Sequence, residues 1–331
     1  MNISTASLRE FQKLSANVKS NGILPITDFL KLEPGKITKT ALTSFITFDC
    51  PEVDEQMLIS EKHLYDLLAV SSSPFINISK KGTTIYMTDG HKRMNFEAED
   101  FNLFPQIQGP TKERVELSDN FVQALYMASY FPIPFKEVMA VYNLVMIGKK
   151  TICAGDGVIV FQHLIDEDVE PIVLEKSIAA AISKLPLKGF AFGENYHFFY
   201  TDKAVFGFSV PEVGYADLNK FFTLNGQKPN FSLSANDLMS FNTMAMRTAE
   251  DAFVHAENGR LSLKSTISNV PLDEPMEALT ITEPFNYHPE KMNRLLTAIK
   301  SDVMYFYEGD RMYYVKNQDE RVCSLIMKIK L

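Results

Sequence analysis

A near-constant spacing of short amphipathic helices constrains this chain more than any other feature. Apolar stripes at helical spacing begin at Leu8, Leu64, Phe121, Ile178, Leu238 and Met292, so successive starts lie 56, 57, 57, 60 and 54 residues apart. A few strand-like residues precede most of them: Met57-Leu58-Ile59, Val115-Glu116-Leu117, Ile172-Val173-Leu174 and Phe231-Ser232-Leu233. The last copy is the clearest. After Glu283-Pro284-Phe285-Asn286 the stripe Met292-Leu295-Leu296-Ile299 predicts a helix, and β-branched or aromatic runs at 303–307, 311–315 and 322–331 predict three strands. A lead-in strand, one helix and three antiparallel strands cannot bury both the helix stripe and the sheet face alone. Six such units taken in pairs give three α+β domains of about 110 residues each, a size that supports an independent core.

The six helices are expected over 5–19, 60–69, 118–129, 175–184, 235–248 and 288–300. In the first unit, 23–30 reads as a strand, Glu33-Pro34-Gly35 as its turn, and 36–40 and 44–49 as the strands that follow. Strands are also expected over 75–79, 84–88, 92–96, 138–147 and 151–161. Pro132 and Pro134 separate the third helix from its strands. Gly109-Pro110 and Asn225-Gly226-Gln227-Lys228-Pro229 mark breaks, giving domains at 1–109, 110–227 and 228–331.

Composition excludes several classes. Apolar content of 46% and charged content of 22% over 331 residues are those of an ordinary globular protein. No apolar window long enough to span a bilayer exists, and the N-terminus lacks the basic start and apolar core of a signal peptide. A cytoplasmic protein is expected, with Cys50, Cys153 and Cys323 reduced and buried. Chemistry-bearing patterns are sparse. Asp89 and His91 read as an Asp-Gly turn before an exposed basic strand rather than as a catalytic pair. Ala154-Gly155-Asp156-Gly157 is too short for a phosphate loop, and Asp166-Glu167-Asp168 reads as a solvated turn. The histidines are scattered singly. No catalytic residues, metal ligands or cofactor are expected; a hydrolase using Asp89, His91 or Asp156 would lack a nucleophile motif.

The sequence resembles the bacterial-type DNA polymerase processivity clamp, the beta sliding clamp. Ile23-Leu24-Pro25-Ile26 is similar to that family's opening motif, and Ala98-Glu99-Asp100-Phe101 with Pro105 to the close of its first domain. Phe285-Asn286, the following helix, Asp302-Val303 and Ile326-Met327-Lys328-Ile329-Lys330-Leu331 resemble its closing segment. Lys328 stands where the family usually has proline. Gly155-Asp156-Gly157-Val158-Ile159-Val160 replaces the family's Thr-Asp-Gly-His-Arg-Leu. With its tighter hairpins the chain looks like a divergent or phage-encoded member.

The resemblance implies a three-domain clamp fold and a head-to-tail homodimer closed as a ring around double-stranded DNA, tethering a DNA polymerase and loaded by a clamp loader. A net charge of −8 argues against nucleic-acid binding, but the helices answer it. They carry Arg9, Lys13, Lys19, Lys62, Lys176, Lys184, Arg247, Lys291, Arg294 and Lys300 against seven acidic residues, a surplus of three inside an acidic remainder. These ten are the expected DNA-facing residues, suited to weak phosphate contact without sequence readout; solvated helix faces are the alternative. Met94 and Phe96 are the expected ring contacts. The resemblance also implies a partner-peptide pocket, at Val141, Gly157, Val158, Ile159, Val160, Ala216, Lys220, Phe221, Leu325, Met327 and Ile329. A peptide-binding scaffold without DNA is the alternative function; plain sheet core is the alternative for the pocket.

Overall fold

The computed structural model describes residues 1–18, 24–131, 144–222, 224, 227–249, 253–257, 259–265, 272–276, 279–281, 284–318 and 321–329. Among these, each helix follows a short lead-in strand and precedes three further strands. The helices are α1 (Thr5–Ser15), α2 (Glu61–Val70), α3 (Asp119–Ala128), α4 (Lys176–Ile182), α5 (Ala235–Thr248) and α6 (Pro289–Ile299). Four begin on a serine. The hydroxyls of Ser4, Ser60, Ser118 and Ser234 accept from the amides of Ser7, His63, Phe121 and Asp237, each cap contributing about 1 kcal/mol. Pro289 opens α6, where its missing N–H costs nothing, and Lys300 closes it in the left-handed conformation.

The lead-in strands explain why the units come in pairs. Asn2–Ser4 pairs with Phe75–Lys81 of the second unit, and Met57–Ser60 returns the exchange by pairing with Phe29–Glu33 of the first. Val115–Glu116 joins Gly189–Ala191 while Ile172–Glu175 joins Leu144–Gly148. Phe231–Ser234 joins Val303–Glu308 while Phe285–Tyr287 joins Phe253–Glu257. Three reciprocal exchanges tie six units into three domains.

Compactness follows the sheets rather than the repeats. One body comprises Met1–Leu117 with Leu185–Val210, the other Ser118–Lys184 with Pro211–Leu331. In the first, Ser44–Asp49 pairs antiparallel with Ala204–Ser209, which joins Phe29–Glu33, Lys36–Thr40 and Met57–Ser60 to Tyr196–Tyr200, Gly189–Ala191 and Val115–Glu116 in one eight-stranded sheet. Its four-stranded sheet runs Asn2–Ser4, Phe75–Lys81, Thr84–Thr88, Arg93–Glu97. In the second body, Ile159–Leu164 pairs with Val322–Met327 and makes the second eight-stranded sheet. Its four-stranded sheet runs Asp273–Pro275, Arg260–Lys264, Phe253–Glu257, Phe285–Tyr287.

Each body has its own core. In the first, Leu8, Phe11, Leu64, Leu67 and Leu68 are buried from α1 and α2, and the Phe11 ring lies 5.9 Å from Phe48 of the sheet. In the second, Phe131 stacks on Phe161 and Phe231 on Phe306, at 4.7 and 4.8 Å. Burial of each such side chain stabilises by roughly 1.5–3 kcal/mol. Between α5 and α6 the fully buried Asn242 donates to Asn293 and accepts from the Tyr287 hydroxyl, so its polar atoms are matched.

Some expected elements differ. The strand expected from 23 begins only at Phe29, because Pro25 opens a single tight turn, Pro25–Asp28. The strand expected over 151–161 is two, Thr151–Gly155 and Ile159–Leu164, since the Asp156 side chain folds back on the chain between them. Helix α1 stops at Ser15, and the last strand at Met327. Lys19, Ile23, Pro132, Pro134, 138–143, 225–226 and 330–331 lie outside the described residues. No helix of the described residues is long and apolar enough to cross a membrane.

Candidate functional site

Strand pairing in the second body brings together the two stretches expected to form a partner pocket. Gly155, Val160, Leu325, Tyr314 and Tyr307 are successive cross-strand partners and therefore form one row on one face of the sheet. Val158 carries the row outward: its carbonyl accepts from the Met327 amide at 3.0 Å. Gly157, exposed at φ +86°, makes the turn that a side chain would strain. Met327 stands 41% exposed beside this row, and Ile329 is half-buried. Ile159 is out of phase. It is fully buried, partnered with Ile326 on the opposite face toward α3 and α6.

The segment 215–221 covers the neighbouring row. Tyr215, Ala216 and Leu218 pack on Leu144, Met146, Cys153 and Val173. Asn219 Oδ1 accepts from Gln162 Nε2 at 2.7 Å and from Cys153 Sγ at 3.5 Å. Lys149 donates to Asp217 at 2.5 Å, which holds that carboxyl below the usual range. Burial pushes the Cys153 thiol and the Tyr215 phenol up to about 12, so both stay neutral. Lys220 is exposed with its ammonium 5.3 Å from the Phe221 ring, which is itself 41% exposed. The result is an apolar row walled by an anchored segment on one side and Met327 on the other. Val141 lies outside the described residues.

The basic helix residues divide by environment. Arg9, Lys13 and Lys62 are exposed in the first body, Arg9 donating to the Ser71 carbonyl at 3.1 Å. Lys184, Arg247 and Lys300 are exposed in the second, the last with its ammonium 5.2 Å from the Tyr126 ring. Lys176 is half-buried, its pKa lowered by desolvation and by Arg294. Lys291 and Arg294 are engaged inside the protein. Asp156, with a side chain 0% exposed, accepts from Lys291 Nζ at 2.6 Å and lies 3.6 Å from Arg294 Nη1. Its other oxygen accepts from the amides of Val158 and Ile159 at 2.9 and 2.8 Å. Arg294 also pairs with Glu290 at 2.7 Å. One carboxylate thus pins the pocket turn to α6, a link between residues 135 apart that no sequence motif announces.

The remaining candidates resolve into structure. Asp89 Oδ1 accepts from the amides of His91 and Lys92, an Asx turn that lowers its pKa, and His91 is exposed. Glu167 is not merely solvated: Oε1 accepts from the Ser118 amide at 2.6 Å. Cys50, Cys153 and Cys323 are free and buried. Among the described residues no group of three His, Cys, Asp or Glu could hold a metal ion.

Six helix-and-sheet units, paired by strand exchange into three domains, make the α+β sliding-clamp fold. Over 100% of its length the chain matches the DNA polymerase III subunit beta of Pseudomonas aeruginosa, at TM-score 0.84, 14% identity and 100% of that chain. It matches the DNA polymerase sliding clamp of Bacillus subtilis at 0.84 and 13%, covering 98% of that chain. The beta subunit from DNA polymerase of Streptococcus pyogenes gives 0.82 and 13%, covering 99%. No protein-family model matches the sequence, and no curated protein matches it.

Proposed function

We propose that the chain is a DNA sliding clamp, a processivity factor that encircles double-stranded DNA and tethers a DNA polymerase after placement by a clamp loader. The likeness to polymerase clamps along the whole length, in all three domains, carries this reading. Two of the sheet ends support a ring of two copies: Arg93–Glu97 and Asp273–Pro275, at the ends opposite Asn2–Ser4 and Phe285–Tyr287, each end a four-stranded sheet without a further strand among the described residues. Joining one edge to the other of a second copy is a heterologous contact that closes when its rotation permits. Half-buried Met94 and Phe96 sit on the first edge, Phe96 stacked on His63 at 5.2 Å.

In this reading Arg9, Lys13, Lys62, Lys184, Arg247 and Lys300 meet phosphate weakly, as a sliding protein requires. The row Val160-Leu325 with Val158 and Met327 takes the apolar anchors of a partner peptide, and no catalysis is involved. A closed ring acts topologically, by holding the polymerase at high effective concentration. The engagement of Lys291 and Arg294 by Asp156 favours a second reading, a peptide-binding scaffold that does not hold DNA. Retention on nicked circular against linear DNA, with a loader, separates the two: a clamp stays on the circle and runs off the line. Met327→Asp should weaken binding of a polymerase tail peptide by about 2 kcal/mol or more, read by calorimetry. Unchanged affinity would move the pocket elsewhere.

A further inference from the structure

The first body holds a groove that the proposed function does not use. It has a volume of about 510 Å³, within the range of ligand sites, and lies between the eight-stranded sheet and the extended segment 104–110. Its floor is the row Thr38, Thr47, Val205, Tyr200, successive cross-strand partners, with the Phe45 and Phe198 rings 5.7 Å apart beside it. Gly207 makes that floor possible: a Cβ there would fall 1.9 Å from the Phe45 ring. In strand register, Phe45-Gly207-Phe198 occupies the places that Val160-Leu325-Tyr314 occupies in the second body.

Two features say what fits. The wall segment is extended, and the backbone amides of Gln106, Ile107 and Gln108 donate to no protein group among the described residues. Pro105 and Pro110 bracket this stretch and limit its absorption into a sheet. An unpaired extended backbone beside a groove is a template for an incoming strand. The rim carries a cationic surplus: Lys31 and Lys36 share the single carboxylate of Glu33, at 3.0 and 3.8 Å, and Lys36 is 48% exposed.

We propose that this groove docks an extended, acidic peptide segment of a partner protein. Its backbone pairs along 106–108, an aromatic or branched apolar side chain lies over the half-buried Val205 and Tyr200, and its carboxylates meet Lys36 and Lys31. The proposal stands whether or not the second body's row binds a peptide.

The test is a displayed library of random dodecapeptides, selected on the full chain and counter-selected on Lys36→Glu. Lys36→Glu alters an exposed side chain and leaves the core untouched. Enriched peptides should combine Asp or Glu with Phe, Tyr or Leu. They should bind about tenfold or more weakly to Lys36→Glu and to Val205→Trp, and equally to Met327→Asp. Bound peptide should slow hydrogen exchange at 104–110. Failure to enrich above the counter-selection would overturn the proposal, as would peptides whose binding depends on Met327. Preferential displacement by a single-stranded oligonucleotide would overturn it in favour of a nucleic-acid surface.

Discussion

The Asp156 carboxylate offers the sharpest quantitative test. Replacing it with Asn keeps an oxygen for the Val158 and Ile159 amides but removes the charge facing Lys291 and Arg294. Arg294 retains Glu290 at 2.7 Å, so the loss falls on Lys291, whose side chain is 13% exposed. Leaving one member of a buried pair uncompensated costs about 3–5 kcal/mol, and the surviving partner of Arg294 puts Asp156→Asn near the lower end, about 3. Asp156→Ala also orphans two amides and should cost a further ~1–2 kcal/mol. Removing both charges with Asp156→Asn/Lys291→Met should restore most of the loss, a coupling of about 2 kcal/mol. Hydrogen exchange across 156–164 reads the local opening directly. Asp156→Asn should accelerate it by about two orders of magnitude, since each 1.4 kcal/mol is tenfold. Exchange within threefold of the parent, or additive single effects in the cycle, would mean that the carboxylate does not hold the turn to α6.

Alanine at Arg9, Lys13, Lys62, Lys184 and Arg247 should flatten the salt dependence of DNA loading by about 0.9 in log–log slope for each phosphate no longer neutralised, while Lys291→Ala/Arg294→Ala should change it little because Asp156 already occupies both. Burial lowers the His197 imidazole to about 4 from 6.5, so the unfolded chain binds a proton that the folded one does not. Stability should therefore be full above about pH 6.5 and fall by up to ~3 kcal/mol as pH drops toward 4, and His197→Phe should remove that slope in urea titrations. Gly207→Ala should destabilise the first body by about 1–3 kcal/mol in denaturant unfolding, because the Phe45 ring must move.

The fold is legible because helix stripes are local signals. Leu64-Leu67-Leu68, or Met292-Leu295-Leu296-Ile299, are read without knowing any partner, and 36–40, 44–49 and 84–88 are the observed strands. The strand exchange is not legible, since nothing in Asn2-Ile3-Ser4 names Phe75–Lys81 as its partner. The turn at Asp156 reads as continuous strand because β-branched residues flank it, although its causes, the Asp156 bonds to the Val158 and Ile159 amides and Gly157, are local; only its tie to a lysine far along the chain leaves no local signal. Val160, Leu325 and Met327 do come together, yet Ile159 shows how one residue of phase decides between a pocket row and the core. Exposure splits the basic residues too: charge is visible in a sequence, but a buried counter-charge is not.

The pairing of Ser44–Asp49 with Ala204–Ser209, and of Ile159–Leu164 with Val322–Met327, also sets a timetable. Strands separated by roughly 160 residues pair late and slowly. During synthesis at ~5–20 residues per second, the earlier strand of each pair waits on the order of ten to thirty seconds for its mate. The two waits overlap, because Ile159–Leu164 emerges before Ala204–Ser209 has arrived. For that interval the nascent chain carries two open apolar edges at once, each a template for the wrong strand. Ribosome pausing between 164 and 204 should prolong that exposure, and a holdase that covers strand edges should raise the yield of folded protein more than one that accelerates any later step.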